Sequence, residues 1–551
     1  MLVSTYVPSQ SEIKETMTTL TAAEAELHRC EAELLRLREL VNRLEQKRDN
    51  IRYRTEERRC LISAFRKLPR EILELIFEEA CLSTDYTLSI STRRHSVKSL
   101  SLSLYRVSRR WRAIVADRPQ LWSSISVDFY RVRRDINPLL RTFLRHSASH
   151  TLKLHLQDSS REDFHSWSSP MKYPGHFGEA AFVLLAGEFS RCRELSLSIE
   201  EDAISLLTPQ NLTQVSFCTL ETFHANTVGF SILHGSNRWF WNGISTASKL
   251  KDASLAHPHL LASIPCSQLT SLTLGTVNEG AWQSILRRCH SLEMVNAKDV
   301  TREGHLNDDS TPPILLPHLR SVSLATSDSA EVFSSFFAAA TTPSLVSVKL
   351  RAASIHRWRA NLDADLSSFI AMLKRSACSD TFRELTLQCL RGCITPSDIN
   401  LIMQLSPNLT SLEMWTQGDD HPMELMENIV PQLLPNLTVP QISDSNEPVL
   451  APKLTHLVIN DVFNTAFKTD DIAELILDMA ESRSAMRLAQ MGRTGVSPLE
   501  KLSLSFADQP FWVTNAEVGI KGPLIQSRLE ALQEAGVECV IEWYSDANDD
   551  V

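Results

Sequence analysis

Leu269-Thr270-Ser271-Leu272-Thr273-Leu274 is the clearest copy of a phrase that returns along most of this chain. An apolar residue is followed by a second three positions later and a third two after that. Ungapped copies begin at Cys192, Leu212, Leu250, Leu269, Leu292, Leu319, Leu345, Phe382, Leu409, Leu454 and Leu499. The last two positions alternate as in a strand and turn both side chains to one face, while the first caps the turn that enters it. Pro317, Pro343, Pro407, Pro452 and Pro498 each stand one or two residues before a first apolar position. Proline ends a preceding helix and brings no N–H to a ladder, so it belongs outside the strand. Helical stretches, 280–289 and 470–480 among them, separate the copies.

Strand, connection, helix and strand again is the unit of a leucine-rich repeat, so an irregular solenoid of such repeats is expected over 150–545. Copies begin 19 to 45 residues apart, against roughly 20 to 29 for the class. The wider gaps imply inserted loops or degenerate repeats. The alternative is a set of separate α/β domains that use similar parallel strands.

Upstream the pattern changes. Residues 12–62 contain neither glycine nor proline and are dominated by Glu, Leu, Arg and Ala. Leu20, Leu27, Leu34 and Val41 recur every seven residues, with Ala23, Cys30, Leu37, Leu44 and Ile51 three positions behind, until Arg48 interrupts the first row. This is a coiled-coil a/d seam. A helix polar on its other faces must pair this seam, either in a homodimer or by folding back onto the rest of the chain.

The next ten residues of interest are Leu68-Pro69-Arg70-Glu71-Ile72-Leu73-Glu74-Leu75-Ile76-Phe77. Proline at the first helical position costs nothing, because that N–H has no intrahelical partner, and Glu71 sits where the macrodipole favours a carboxylate. Ile72, Leu73, Ile76 and Phe77 form one apolar stripe. Val107-Ser108-Arg109-Arg110-Trp111-Arg112-Ala113-Ile114-Val115 follows, then Pro119-Gln120-Leu121-Trp122. Together the two segments resemble an F-box. The resemblance implies a small all-α module over 64–125 that docks a substrate receptor onto the Skp-type adaptor of a cullin–RING ubiquitin ligase. It places Leu68, Pro69, Ile72, Leu73, Ile76, Phe77, Val107 and Trp111 at the adaptor. The two halves stand farther apart than the family usually has them, and residues 82–103, rich in Ser, Thr and basic residues, read as an exposed inserted loop.

The expected architecture is therefore α/β, with a coiled-coil helix over 12–62, the F-box and the repeat domain between a disordered N-terminus (1–11) and an acidic tail (546–551). Its expected function is substrate recognition in an SCF-type ligase, with the adaptor and through it a cullin as partners, and an unidentified target on the repeats. A scaffold of coiled coil and repeats acting outside any ligase is the alternative.

Bulk properties narrow the classes. With 551 residues, 43% hydrophobic and 22% charged, the chain has ordinary globular composition but exceeds one compact core. No apolar run approaches the ~20 residues of a membrane span, and residues 1–10 lack a signal-peptide pattern, so a cytosolic or nuclear location is expected. The eleven cysteines show no C-x-x-C pair, only Cys389 and Cys393 being close; buried thiols are expected rather than a zinc site or a RING domain. Asn211-Leu212-Thr213, Asn408-Leu409-Thr410 and Asn436-Leu437-Thr438 match a glycosylation pattern by coincidence with the repeat. Residues 1–150 hold 27 Lys and Arg against 19 Asp and Glu, a net +8, so the −10 of the whole chain leaves −18 for 151–551. The basic residues interleave with Glu45, Asp49, Glu56 and Glu57, as on a charge-laced helix rather than a nucleic-acid surface.

No phosphate loop, dinucleotide fingerprint, H-E-x-x-H or G-x-S-x-G elbow occurs, and sixteen glycines are few for phosphate-cradling loops. His224, His234, His257 and His259 read as surface residues, as does the arginine group Arg351, Arg357 and Arg359. Cys289 and His290 are neighbours in sequence, which does not make a dyad. No catalysis, metal or cofactor is expected.

Overall fold

The computed structural model describes residues 9–62, 64–92, 94, 96–130, 132–158, 175–199, 215–226, 238–302, 312–327, 330–352, 366–388, 395–416, 430–440, 449–461, 469–493, 495–506 and 522–543. Cys389, Cys393, His234, Arg357, Arg359, the acidic tail and most of the expected N-terminal disordered segment lie outside them. The chain is mixed α/β, with a long N-terminal helix and a large, mostly parallel sheet. It divides into two compact units, 1–79 and 80–551.

The first unit is dominated by helix α1 (Gln10–Ile62), 53 residues without a break. At 1.5 Å per residue it extends about 80 Å. The apolar seam expected from the heptads is exposed along its length, with Leu20, Leu27, Leu34 and Leu44 each at least half accessible. Helix α2 (Arg70–Leu82) follows. Pro69 stands just ahead of it, and its carbonyl accepts the first i+4 bond, from Leu73 N–H at 3.3 Å.

The second unit is built on one sheet. Its strands are β1 (Leu88–Ser91), β2 (Ser96–Lys98), β3 (Ser124–Asp128), β4 (Leu152–Gln157), β5 (Cys192–Ser198), β6 (Thr222–Ala225), β7 (Asp252–Leu255), β8 (Ser271–Asn278) and β9 (Met294–Thr301). A two-stranded side sheet of β10 (Ile314–Leu315) and β12 (Ala340–Thr341) stands apart. The main sheet continues through β11 (Ser321–Thr326), β13 (Ser347–Ala352), β14 (Glu384–Gln388), β15 (Ser411–Thr416), β16 (His456–Asp461), β17 (Lys501–Phe506) and β18 (Glu538–Trp543). Sixteen described strands lie side by side almost in chain order, all pairings parallel except β1 with β2. Parallel neighbours need a crossover between them, and the connections supply helices such as 282–288, 367–376, 396–405 and 469–482.

The two strand positions of each phrase stack in register. One row runs Leu88, Ile125, Leu154, Leu195, Phe223, Ala253, Leu272 and Val295, then on through Val322 and Val348 to Leu385. It ends with Leu412, Leu457, Leu502 and Cys539. A parallel row two residues on begins at Ile90 and ends at Ile541. Nearly all these side chains are buried. The helical layer has its own continuous contact, from Trp282 edge-on to Phe336 through Phe337 to Phe369 and Phe382, with ring centroids 4.8 to 6.3 Å apart.

Three expectations change. Segment 82–103 is not a plain exposed loop. It carries the β1–β2 hairpin, whose Leu88 and Ile90 are buried because β1 extends the main sheet beside β3. The compact-unit boundary falls at 79/80 rather than between 125 and 150, because β3 pairs with β4 and joins the supposed module to the sheet. The copy placed at Leu212-Val215-Phe217 is not the strand either: Leu212 lies outside the described residues, and β6 uses Leu220, Phe223 and Ala225 at the same spacing. Phe217 is buried as part of an aromatic cluster, stacked on Phe189 and edge-on to Phe240.

Arg483, fully buried after helix 469–482, joins distant segments. Its guanidinium donates to the carbonyls of Leu437 at 2.7 Å, Leu450 at 2.7 Å and Ala451 at 3.1 Å, and burial holds its pKa down to about 10. Arg483→Met preserves the stem and orphans three acceptors, so the protein should lose about 3 kcal/mol or more, read from the urea denaturation midpoint. Burial also pushes His146, His155 and His257 below the usual histidine value. The unfolded chain then binds protons that the fold refuses, and stability should fall as pH drops through about 6.5. Comparing midpoints on either side of that pH tests this, and His146→Gln with His155→Gln should flatten the dependence.

Candidate docking helices

Along α2 each residue turns the helix by about 100°. Leu73, Phe77 and Cys81, spaced by four, therefore share a face, and all three are buried, at 1% exposure or less. The opposite face carries Ile72, Leu75, Ile76 and Leu82, exposed at 42%, 62%, 38% and 63%. A globular helix ordinarily shows one apolar stripe and one polar face. This one has two apolar stripes, one covered and one open. Carboxylates line the open one: Glu71, Glu78 and Glu79 flank it or lie on it, while Glu74 is bonded to Arg70 at 2.7 Å.

The structure thus divides the residues assigned to adaptor contact. Ile72 and Ile76 are on the open stripe; Leu73 and Phe77 belong to the interior and are not available to a partner. Leu68 is half-buried and Pro69 exposed at the helix entry. Sequence reading missed Leu75 and Leu82. The signal was present, because Ile72, Leu73, Leu75, Ile76 and Phe77 are five apolar residues in six, more than a single stripe holds.

Val107 and Trp111 sit in the second unit. Val107 ends α3 (Leu100–Val107) and is 60% exposed; Trp111 lies half-buried in α4 (Arg109–Ala116). Two serines start these helices. Ser99 Oγ accepts from Leu102 N–H at 3.1 Å and Ser108 Oγ from Trp111 N–H at 3.2 Å, each satisfying a donor that a helix start leaves open. The Arg112 guanidinium lies 5.2 Å from the Tyr105 ring centroid. Below them Trp122 is fully buried, donating its indole N–H to the Val115 carbonyl at 2.8 Å and stacking on His146. It anchors the α4 end to helix α5 (Asn137–Ser147), whose Phe143 meets the indole ring edge-on.

The main sheet's other face is mostly polar, with Met294, Val458 and Val540 among its apolar residues. Between the two apolar rows runs a third, through Ser126, His155, Ser196, His224, Ser254 and Thr273 to Asn296, Ser323, Lys349, Thr386 and Glu413, and then through Val458, Ser503 and Val540. Cross-strand ion pairs stand on the same face, Lys153 with Glu194 at 3.1 Å and Lys501 with Glu538 at 3.2 Å. Along its middle row this face presents hydroxyl, imidazole, amide and charged side chains. Among the described residues no group of three or more His, Cys, Asp or Glu side chains is placed to hold a metal ion, and no helix is long and apolar enough to cross a membrane. Cys81, Cys192, Cys266, Cys289 and Cys378 are buried free thiols, while Cys30 and Cys218 are exposed.

No family model matches the chain, and no curated protein matches it.

The division of α2 is measurable by stability alone. Leu73→Ala should cost about 2–5 kcal/mol as a core truncation. Leu75→Ala and Ile76→Ala should each stay within about 0.5 kcal/mol of the native chain, by denaturation midpoint.

Proposed function

We propose that this chain is a substrate receptor of an SCF-type ubiquitin ligase, with α2 as the F-box helix that docks onto the Skp-type adaptor. The observation that carries this reading is the open stripe of Ile72, Leu75, Ile76 and Leu82. Aliphatic side chains gathered on one helix face and left in water mark a surface built for another protein. The Pro-Glu helix start and the serine-capped helix with Trp111 are the features that resemble the family. In this reading the second unit is a leucine-rich repeat solenoid, supported by phrases that each contribute one strand and pair with the next. Its polar sheet face is the surface offered to a target. The chain itself performs no chemistry: holding a target's lysine near a ubiquitin-charged enzyme raises the effective concentration of the two reactants.

Co-purification with the Skp-type adaptor tests the proposal, comparing the native chain with Leu75→Asp, Ile76→Asp. Two buried aliphatic anchors contribute about 3–6 kcal/mol, so affinity should fall by about a hundredfold or more with the circular dichroism spectrum unchanged. Adaptor bound equally by both chains would remove α2 as the site. Absence of adaptor with either would leave a scaffold of long helix and sheet as the better account.

A further inference from the structure

Helix α1 leaves its heptad seam uncovered, and the charges beside that seam are sorted along the helix. In the heptad frame of Leu20, Leu27 and Leu34, the flanking e and g positions of the N-terminal half hold Glu24, Glu26, Glu31 and Glu33 and no basic residue. The same positions of the C-terminal half hold Arg38, Lys47, Arg52, Arg54 and Arg59, with Glu45 the one acid. We infer that α1 pairs with α1 of a second copy in an antiparallel two-stranded coiled coil.

Orientation follows from which charges meet. In a parallel, in-register pair, g positions face the following e positions of the partner. Glu26 would face the partner's Glu31, Lys47 the partner's Arg52, and Arg54 the partner's Arg59; only Glu33 with the partner's Arg38 would attract. Turning one helix around brings the acidic half against the basic half. With Leu34 layered on the partner's Leu37, Glu26 faces the partner's Lys47 and Glu31 the partner's Arg38, each twice by symmetry, and only Glu24 with the partner's Glu45 repels. The same alignment layers Leu27 on the partner's Leu44, Leu20 on the partner's Ile51, and Cys30 on the partner's Val41, while Ala23, the smallest seam residue, meets the partner's Arg48.

Because α1 is continuous over Gln10–Ile62, its acidic and basic halves cannot pair with each other within one chain, whereas a second copy brings them together. The pairing is also self-complementary, as a twofold interface requires. The seam supplies the affinity, with Leu20, Leu27, Leu34, Leu37 and Leu44 at 48–58% exposure in the single chain. The charges choose the direction. In the lone helix Glu26 is paired with Arg29 at 2.6 Å and Glu33 with Arg36 at 3.7 Å, all four side chains more than half exposed; such pairs exchange partners at little cost.

Cys30, an exposed thiol at a seam position, reports the direction. In the parallel form the two Cys30 thiols are neighbours. In the antiparallel form they stand about 16 Å apart along the axis, and each meets Val41 instead. The full-length chain should sediment at twice its mass at micromolar concentration. A short bismaleimide should give no Cys30–Cys30 link in the native chain. In the Val41→Cys variant it should join Cys30 of one protomer to the introduced thiol of its partner, identified by peptide mapping. Leu27→Glu with Leu34→Glu should return the monomer while leaving the melting of the second unit unchanged. A Cys30–Cys30 link, a native monomer, a dimer that survives the double substitution, or a Val41→Cys dimer without its link would each overturn the inference. None of these readouts depends on adaptor binding.

Discussion

The pairing of each apolar phrase with the next, in register from Leu88 and Ile90 to Cys539 and Ile541, is the interaction on which the second unit depends. A strand with two apolar side chains on one face buries them only if neighbours present the same face at the same height. Slipping one strand by a single residue would carry Leu272 and Leu274 into the row of Thr273 and bring Thr273 into the interior. Every strand therefore holds the phase of the next. The constraint acts on the strand and its entry, not on the connection, which explains how phrases 19 to 45 residues apart join one sheet. Extra chain between strands costs little in closure entropy.

This same constraint decides how much was legible beforehand. Strands β8, β11, β13 and β15 fall where the phrase put them, because a ladder position tolerates little but an aliphatic residue. The miss at β6 comes from the phrase's blindness to packing partners. Val215 and Phe217 satisfy the spacing, but Phe217 is used by the cluster with Phe189 and Phe240, and the ladder takes Phe223 and Ala225 eight residues later. Strand β3 was hidden differently. Trp122, Ile125 and Val127 repeat the phrase, yet the F-box resemblance assigns Trp122 to an all-α module; it ends the short helix Pro119–Trp122, enters the strand and anchors α5. The β1–β2 hairpin was obscured by composition: Ser, Thr and Arg around Leu88 and Ile90 look like loop, and their strand character comes from β3 beside them.

Helix α2 shows a different limit. Its existence, entry and apolar content were readable from Pro69 onward, but the division of labour was not. Periodicity says that Leu73, Phe77 and Cys81 share one face and that Ile72, Leu75 and Ile76 share another. Which of the two faces is covered is not set within the helix, and no local rule carries that information.

The two open apolar rows, on α1 and on α2, ask for different partners, and their charged borders say why. On α1 the acidic and basic flanks occupy opposite halves of one helix, so an identical helix turned around satisfies both. On α2 the border is Glu71, Glu78 and Glu79, with the helix's Arg70 already held by Glu74. Two such helices placed stripe to stripe would bring carboxylates together in either direction, and removing water from between them raises that cost. The α2 stripe is therefore ill suited to its own copy and suited to a surface that is apolar at its centre and basic at its rim. In the proposed reading, self-association through α1 and docking through α2 are separated by the charges beside each stripe, since both helices expose the same kinds of aliphatic side chain.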